Sequence, residues 1–414
     1  MKLLLSAYAC EPDRGSEPGI GWNWALALRA QGHVVHVLTR KNNRVDIEAA
    51  LEKMPPHLRP VFHYHDLPRW SSWWKRGGRG VQLYYYLWQM GALSVAREAH
   101  QAIGFDAVQH LTFGVFRQPS RMGELGIPFV HGPVGGGEET PRGLRAVFPW
   151  RARQIERLRE LANRVMLWDP MVRGSFRRAQ VILTKTEDTR RLLPRWAMEK
   201  SRCELEVGLA AGRIASEPVS YTKGTRFRLL FVGRFVHLKG VTLCLSALAR
   251  LRRSNVDVSL TMIGAGPQEA LWRNMAHQAG LSDCVEWWGW RPQAEVLSAY
   301  RQHHAFLFPS LHDSSGNAVL EALSQGLPVV CLANGGPAAV VGPHAGVRVD
   351  AADQGVDAVA AALADAVRGL IEDDVRYRQL SKAALARAAD LSWSQVVARV
   401  WPPGARNFGE VVER

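Results

Sequence analysis

Cysteine is scarce in this chain of 414 residues. Cys10, Cys203, Cys244, Cys284 and Cys331 are far apart, odd in number, and form no Cys-x-x-Cys pair. That pattern excludes a disulfide framework and a cysteine-rich zinc site, and it fits free thiols in a reducing compartment. No apolar run reaches the roughly 18–20 residues needed to span a bilayer. The apolar opening Met1–Cys10 carries only Lys2 as a positive charge and soon meets Glu11, Asp13 and Arg14. A secretory leader needs a longer apolar region, so a buried first strand and a cytoplasmic protein are expected. Low-complexity stretches are also missing, which excludes a largely disordered chain.

Hydrophobic residues make up 47% of the chain and charged residues 22%, enough apolar material for packed cores. The length favours two or three domains over one. The net charge of +14 is lopsided: residues 1–203 carry +13 and residues 204–414 carry +1. The two halves are therefore expected to meet different partners. A basic half suits nucleic acid, anionic lipid or a phosphorylated substrate.

Short apolar runs alternate with amphipathic stretches through both halves. Residues 2–8, 34–39, 61–65, 107–111, 128–131 and 180–184 read as strands of a first series. After a polar stretch near 216–226 the pattern restarts with strands at 228–233, 259–264, 284–287, 305–308 and 328–332. Such alternation predicts parallel sheets covered on both faces, an α/β architecture of two doubly wound domains. The expected boundaries are 1–205, a linker at 206–226, 227–385, and a terminal helix and tail at 386–414. Ligands in such folds bind beyond the carboxyl ends of the strands, so a cleft between the two domains is the expected place of function.

The segment from Pro309 to Val330 carries the most chemistry. It leaves a strand and enters a helix, with Gly316 and Asn317 at the helix start and Asp313 before the turn. Backbone N–H groups and the helix dipole there suit a phosphate or a sugar oxygen. Glu321, one turn further, is placed to hydrogen-bond a ribose diol. The segment resembles the E-x7-E signature of retaining family-4 glycosyltransferases of the GT-B fold, with Asp313 standing where the family has its first Glu. Phe231 to Gly240 resembles the same family's G-R-x4-K-G element. The resemblance implies that Arg234 and Lys239 hold the diphosphate of a nucleotide-sugar donor. Physical chemistry agrees, because a guanidinium grips two oxygens at once and an ammonium adds a point charge to a leaving group that gains negative charge.

The resemblance further implies a GT-B protein of two Rossmann-like domains that transfers a hexose, with retention, to a glycan or lipid-linked acceptor. The implied setting is envelope or exopolysaccharide synthesis, with no cofactor beyond the nucleotide-diphosphate sugar as co-substrate. Asp313, Ser315, Gly316 and Asn317 are the implied sugar contacts and Glu321 the ribose contact. Arg291, in the loop Glu286–Pro292, is placed with Trp290 to stack on the base; core packing accounts equally well for the tryptophans there. The Ile263–Pro267 turn is read as a structural connection, since Glu269 occupies the third glycine position of a dinucleotide fingerprint. No Asp-x-Asp pair follows an apolar strand, so no metal is assigned to the diphosphate.

In the first half, the loop Cys10–Gly21 resembles the family's glycine-rich first loop, which points to Glu17 and Gly19 on the acceptor side. His131, before a second glycine-rich loop, stands where family members place a histidine facing the cleft. His110 also ends a strand; a structural role remains open for both histidines. Trp70, Trp73, Trp74, Lys75 and Arg76, the aromatic run Tyr84–Trp88, and the arginines from Arg151 to Arg178 together suggest contact with an anionic membrane surface. The alternatives are a nucleotide-sugar epimerase of the same architecture and a basic nucleic-acid-binding protein. Against the latter, no recognisable reading helix or aromatic RNA-binding motif is present.

Overall fold

The computed structural model describes residues 1–68 and 80–412. The tryptophan- and cation-rich stretch around Trp70, Trp73, Trp74, Lys75 and Arg76 lies outside the described residues. The chain forms two compact units. One comprises Met1–Gly137, Leu161–Gly208 and Trp393–Arg414, the other Glu138–Glu160 and Leu209–Ser392. All five cysteines are free, four of them buried and Cys203 exposed. Among the described residues, no helix is long and apolar enough to cross a membrane.

The first unit is built on β1 (Lys2–Ser6), β2 (Val34–Thr39), β3 (Val61–Tyr64), β4 (Ala107–His110), β5 (Phe129–Val134), β6 (Val181–Thr184) and β7 (Ser201–Cys203). They form one parallel sheet in the order β3-β2-β1-β4-β5-β6-β7. Its central strands are buried on both faces, as a position between two helical layers requires, with Gln109, His110 and His131 the buried polar residues on β4 and β5. The helix Val81–Ile103 presents Tyr85, Trp88, Ala92, Ala96 and Ala99 at intervals of three or four to the core formed by Leu4, Val108, Phe129 and Ile182. Tyr84, Tyr85 and Trp88, expected at a membrane surface, are thus buried core residues. The apolar side of an amphipathic helix and the aromatic face of an interfacial segment share one sequence period, and in this helix the core claims it.

The tail returns to this unit. After the helix Trp393–Val400, Trp401 is fully buried and its indole Nε1 donates to Gln109 Oε1 at 2.6 Å. Proline at 402 stops the helix there, as its ring and missing N–H require.

The second unit carries β8 (Phe227–Val232), β9 (Val258–Ile263), β10 (Val285–Gly289), β11 (Ala305–Phe308), β12 (Val329–Leu332) and β13 (Gly346–Val349). The order is β10-β9-β8-β11-β12-β13, all parallel. Strand order therefore reverses between β1 and β4 in one unit and between β8 and β11 in the other. A crevice opens at the carboxyl ends of the two strands that flank such a reversal, since their following helices leave to opposite faces of the sheet.

Candidate active site

In the second unit, the loops leaving β8 and β11 are drawn together at the reversal point. Gly240 has φ +69, and a Cβ there would sit 1.9 Å from the Pro309 carbonyl oxygen, so only glycine lets the two loops approach. Gly240 also opens the helix Val241–Arg253, whose buried residues Val241, Cys244, Leu245, Leu248 and Leu251 repeat every three or four positions. The Gly264–Pro267 turn supports the other side: Phe235 N donates to Ala265 O at 2.9 Å. Arg234, between these supports, is exposed. Its side chain pairs with no described carboxylate.

Lys239 and Asp313 meet across the junction, with Nζ 2.5 Å from Oδ2. The other carboxylate oxygen of Asp313 accepts hydrogen bonds from the N–H groups of Ser315 and Gly316, each at 3.0 Å. Burial alone would push this carboxyl up, but Lys239 and the two N–H groups outweigh it and hold its pKa below the ordinary Asp value. The expectation of free N–H groups for a phosphate is corrected by this geometry, because Asp313 already occupies those of Ser315 and Gly316. Gly316 itself has φ +70 and precedes the helix Asn317–Ser324. A Cβ on Gly316 would press on the Gly336 backbone at 3.0 Å, which brings the loop after β12 into the same junction.

Glu321 lies on that helix. Gln293 Nε2 donates to its Oε1 at 3.2 Å, and Tyr300 OH to its Oε2 at 3.5 Å. Burial raises its pKa above the usual Glu value, and the two donors only partly offset that. Gln293 follows Arg291 by two residues, so the loop after β10 reaches Glu321 across the second unit. Arg291 is exposed and 3.5 Å from Glu295, and the neighbouring Trp290 is 73% exposed. Both are free of the core, as a stacking surface requires.

Four further residues belong to this surrounding and are not among the site residues expected from sequence. Gln293 and Tyr300 orient Glu321. His312 stands beside Asp313, and Arg159 Nη1 lies 2.9 Å from its Nδ1 while Arg159 Nη2 donates to the Glu138 carbonyl at 3.1 Å. Burial, with Arg159 adding to it, pushes His312 down to about 3, so the ring is neutral and accepts from the guanidinium. His312 had a signal, its place next to a candidate carboxylate. Arg159 had none, being 153 residues away.

The first unit brings its own candidates to its reversal point. Ala9 N donates to Thr112 Oγ1 at 3.0 Å, which joins the loops after β1 and β4. Gly19 is required by space, since a Cβ would sit 2.0 Å from the Arg14 carbonyl oxygen. Glu17 is 3.9 Å from Lys185, whose nearer partner is the buried Glu206 at 2.6 Å. Burial raises the Glu17 pKa, and Glu206 adds to the rise while Lys185 opposes it. His110 and His131 are register partners on β4 and β5, with rings stacked at 5.5 Å, and Tyr85 OH lies 2.8 Å from His110 Nε2. Both are fully buried, His131 against Phe129 and Phe176. The expected open face of His131 is therefore absent: its imidazole lies inside the sheet–helix core, where its β5 register points it. Burial lowers both pKa values, His110 to about 4.

Comparison with known proteins shows what this arrangement is similar to. Residues 214–387 match the family model described as "Glycosyl transferases group 1", which takes in Arg234, Lys239, Asp313 and Glu321. A D-inositol 3-phosphate glycosyltransferase of Corynebacterium diphtheriae is 31% identical over 173 residues, 40% of this chain and 39% of the relative. A glycogen synthase of Mycobacterium tuberculosis is 31% identical over 170 residues, 41% and 40% of the two chains. The match thus spans about two fifths of the length of these curated relatives. Among solved structures, the sucrose-phosphate synthase of Thermosynechococcus elongatus superposes with a TM-score of 0.59 at 19% identity, covering 96% of each chain. The lipopolysaccharide outer core galactosyltransferase WaaB superposes with 0.61 at 11% identity, over 96% of this chain and 97% of its own. The fold is therefore the GT-B type, two Rossmann-like α/β units with parallel sheets.

Proposed function

We propose that the protein is a retaining glycosyltransferase of family-4 type, which moves a hexosyl group from a nucleotide-diphosphate sugar to a glycan or lipid-linked acceptor. The observation that carries this reading is the junction of Lys239 with Asp313 at the strand-order reversal, in one unit with Arg234, which pairs with no described carboxylate, and with Glu321, held by Gln293 and Tyr300. The family match over 214–387 supports it independently.

In this reading Arg234 and Lys239 bind the diphosphate. Asp313 holds Lys239 in place before the donor arrives, so little side-chain freedom is lost on binding. Glu321 accepts hydrogen bonds from the ribose hydroxyls, and Trp290 with Arg291 flanks the base. Asp313, Ser315, Gly316 and Asn317 border the sugar. The acceptor hydroxyl attacks the anomeric carbon, the bond from that carbon to the diphosphate oxygen breaks, and the nucleoside diphosphate leaves with its added negative charge. A donor phosphate oxygen takes the hydroxyl proton, so no covalent protein nucleophile is required. The two cations act where charge develops, which is the largest single contribution in most such sites. No cofactor beyond the co-substrate enters the reading. A lipid-linked acceptor sets the protein at the inner face of a membrane, as a peripheral cytoplasmic enzyme of envelope or exopolysaccharide synthesis.

Nucleoside-diphosphate release, measured across a panel of nucleotide sugars with and without oligosaccharide or lipid-linked acceptors, tests this reading. One donor is expected to stand out, and Arg234→Ala is expected to lower its turnover by about 10²–10³. Turnover of Arg234→Ala close to wild type would remove the assignment.

A further inference from the structure

The helix Trp150–Met166 is built inside out. Its buried positions are Ala152, Glu156, Glu160 and Asn163. Three of the four are polar, and they are partnered: Glu156 lies 2.7 Å from Arg159, Glu160 lies 2.6 Å from Arg145, and Asn163 Nδ2 donates to Gly136 O at 3.0 Å. The solvent side instead presents Ile155, Leu158, Leu161 and Val165, each between 56 and 65% exposed, with Trp150 at the helix start exposed to a similar degree. At 100° per residue the four aliphatic side chains share an arc of about 120°. A helix that faced only water would carry the opposite pattern.

Charge identifies what covers this face. Arg153, Arg157 and Arg164 are exposed and run along one border of the apolar arc. The helix has two carboxylates, Glu156 and Glu160, and both face inward, so the outer side carries no negative charge. Beside it, a cavity of about 280 Å³ is lined by Arg142, Arg145, Arg153 and Arg157 with Phe148 and Glu156 among them. A second copy of this chain would set arginines against arginines. A nucleic acid would leave the aliphatic arc in water. An anionic bilayer satisfies both features, because its acyl boundary accepts the apolar arc and its phosphates meet the cations.

We infer that this helix face docks on the surface of an anionic phospholipid bilayer, with the arginine-lined cavity taking one lipid phosphate. The inference deepens the peripheral-membrane part of the reading above and is argued from the helix and the cavity, so lipid-free donor turnover tests that reading and vesicle binding tests this one.

Flotation of the full chain with vesicles of phosphatidylglycerol and phosphatidylcholine, against phosphatidylcholine alone, tests it. Wild type is expected to float with the anionic vesicles only, and less so at high salt. Leu158→Glu with Leu161→Glu, and separately Arg153→Gln with Arg157→Gln and Arg164→Gln, are each expected to lower the bound fraction about tenfold. Both changes are on exposed side chains, so Tm and lipid-free donor turnover stay at wild-type values. Equal flotation on neutral and anionic vesicles, or full flotation of both variants, overturns the inference. So does a lipid-free dimer that Leu158→Glu converts to monomer, since a second copy would then cover the face.

Discussion

The ammonium of Lys239 sits 2.5 Å from Oδ2 of Asp313, while Oδ1 of the same carboxylate caps the turn through Ser315 and Gly316. One side chain thus ties the loop after β8 to the loop after β11. Asp313→Ala removes the cap and leaves Lys239 without its counter-charge, and about 1–3 kcal/mol of stability is expected to go with it. Asp313→Asn keeps an oxygen for the two N–H groups and loses less. Because the folded pKa of Asp313 is lowered, its contribution is present above the ordinary Asp value and is lost as pH falls through the folded value. Denaturant melts of wild type and Asp313→Asn should therefore differ at pH 7 and converge in strong acid. A gap that widens in acid would contradict the ion pair.

Lys239 has a kinetic counterpart to that structural role. Lys239→Ala is expected to lower donor turnover by about 10²–10³, because a positive charge at the leaving group is lost. Lys239→Arg keeps the charge but not the compact geometry beside Asp313, so partial turnover is expected. Initial rates of nucleoside-diphosphate release separate the two, and equal rates for Ala and Arg variants would show that charge is not what the position supplies.

Glu321 sets stability against binding. Its pKa is raised by burial, so the charged form is less favoured in the folded protein than in the unfolded chain. Sign follows directly: the contribution is full below the unfolded value and is lost as pH rises through the folded one. Glu321→Gln removes the charge, and its Tm at pH 7 is expected to equal or exceed that of wild type. The same change weakens a charged hydrogen-bond acceptor, and the donor KM is expected to rise about tenfold or more, with kcat changed less. A fall in Tm with an unchanged KM would make Glu321 a structural residue.

Most inner strands of both sheets are legible because they are short apolar runs bounded by turns, as Leu229–Val232 shows. The edge strands β7 and β13 were not. Ser201–Cys203 has three residues, and Gly346–Val349 opens with glycine and interposes Arg348, so neither presents a buried run. The spacing of Asp313 and Glu321 was readable from local sequence, since both flank one short helix. What Asp313 does with its oxygens was not, because Lys239 is 74 residues away and the cap depends on the turn's shape. Aromatic residues misled for a related reason. Tyr85 and Trp88 suit a bilayer surface and a protein core equally well, and only the neighbouring sheet decides between them. His131 ends in the core because its β5 register aligns it with His110, and register is a property of paired strands.

The buried imidazoles should mark the first unit with a pH dependence of its own. Burial lowers His110 to about 4 and His131 further, with His110 adding to the effect on its neighbour. A histidine whose folded pKa is depressed stabilises the fold above its unfolded value near 6.5, and that stability falls away as pH drops toward the folded value. Thermal melts between pH 7 and pH 4 should show a falling Tm, and His110→Phe or His131→Leu should flatten that fall. An unaltered slope in both variants would place the pH dependence elsewhere.

Trp401 closes the first unit from the far end of the chain. Its ring is fully buried, and its Nε1 donates to Gln109, whose own Nε2 donates to the Gly132 carbonyl at 2.8 Å. Trp401→Ala opens a cavity and leaves Gln109 Oε1 without a donor; a loss of about 3–5 kcal/mol is expected. Trp401→Phe keeps most of the ring and isolates the hydrogen bond. Paired with Gln109→Leu it forms a double-mutant cycle, in which the second change should cost less once the first has removed the bond, because replacing both partners with apolar groups spares the unsatisfied oxygen. Denaturant unfolding of the four proteins gives the coupling. Strict additivity would mean that the tail is held by packing alone, and the cost of Trp401→Phe would then be that of the lost ring volume, the same with Gln109 or Leu at 109.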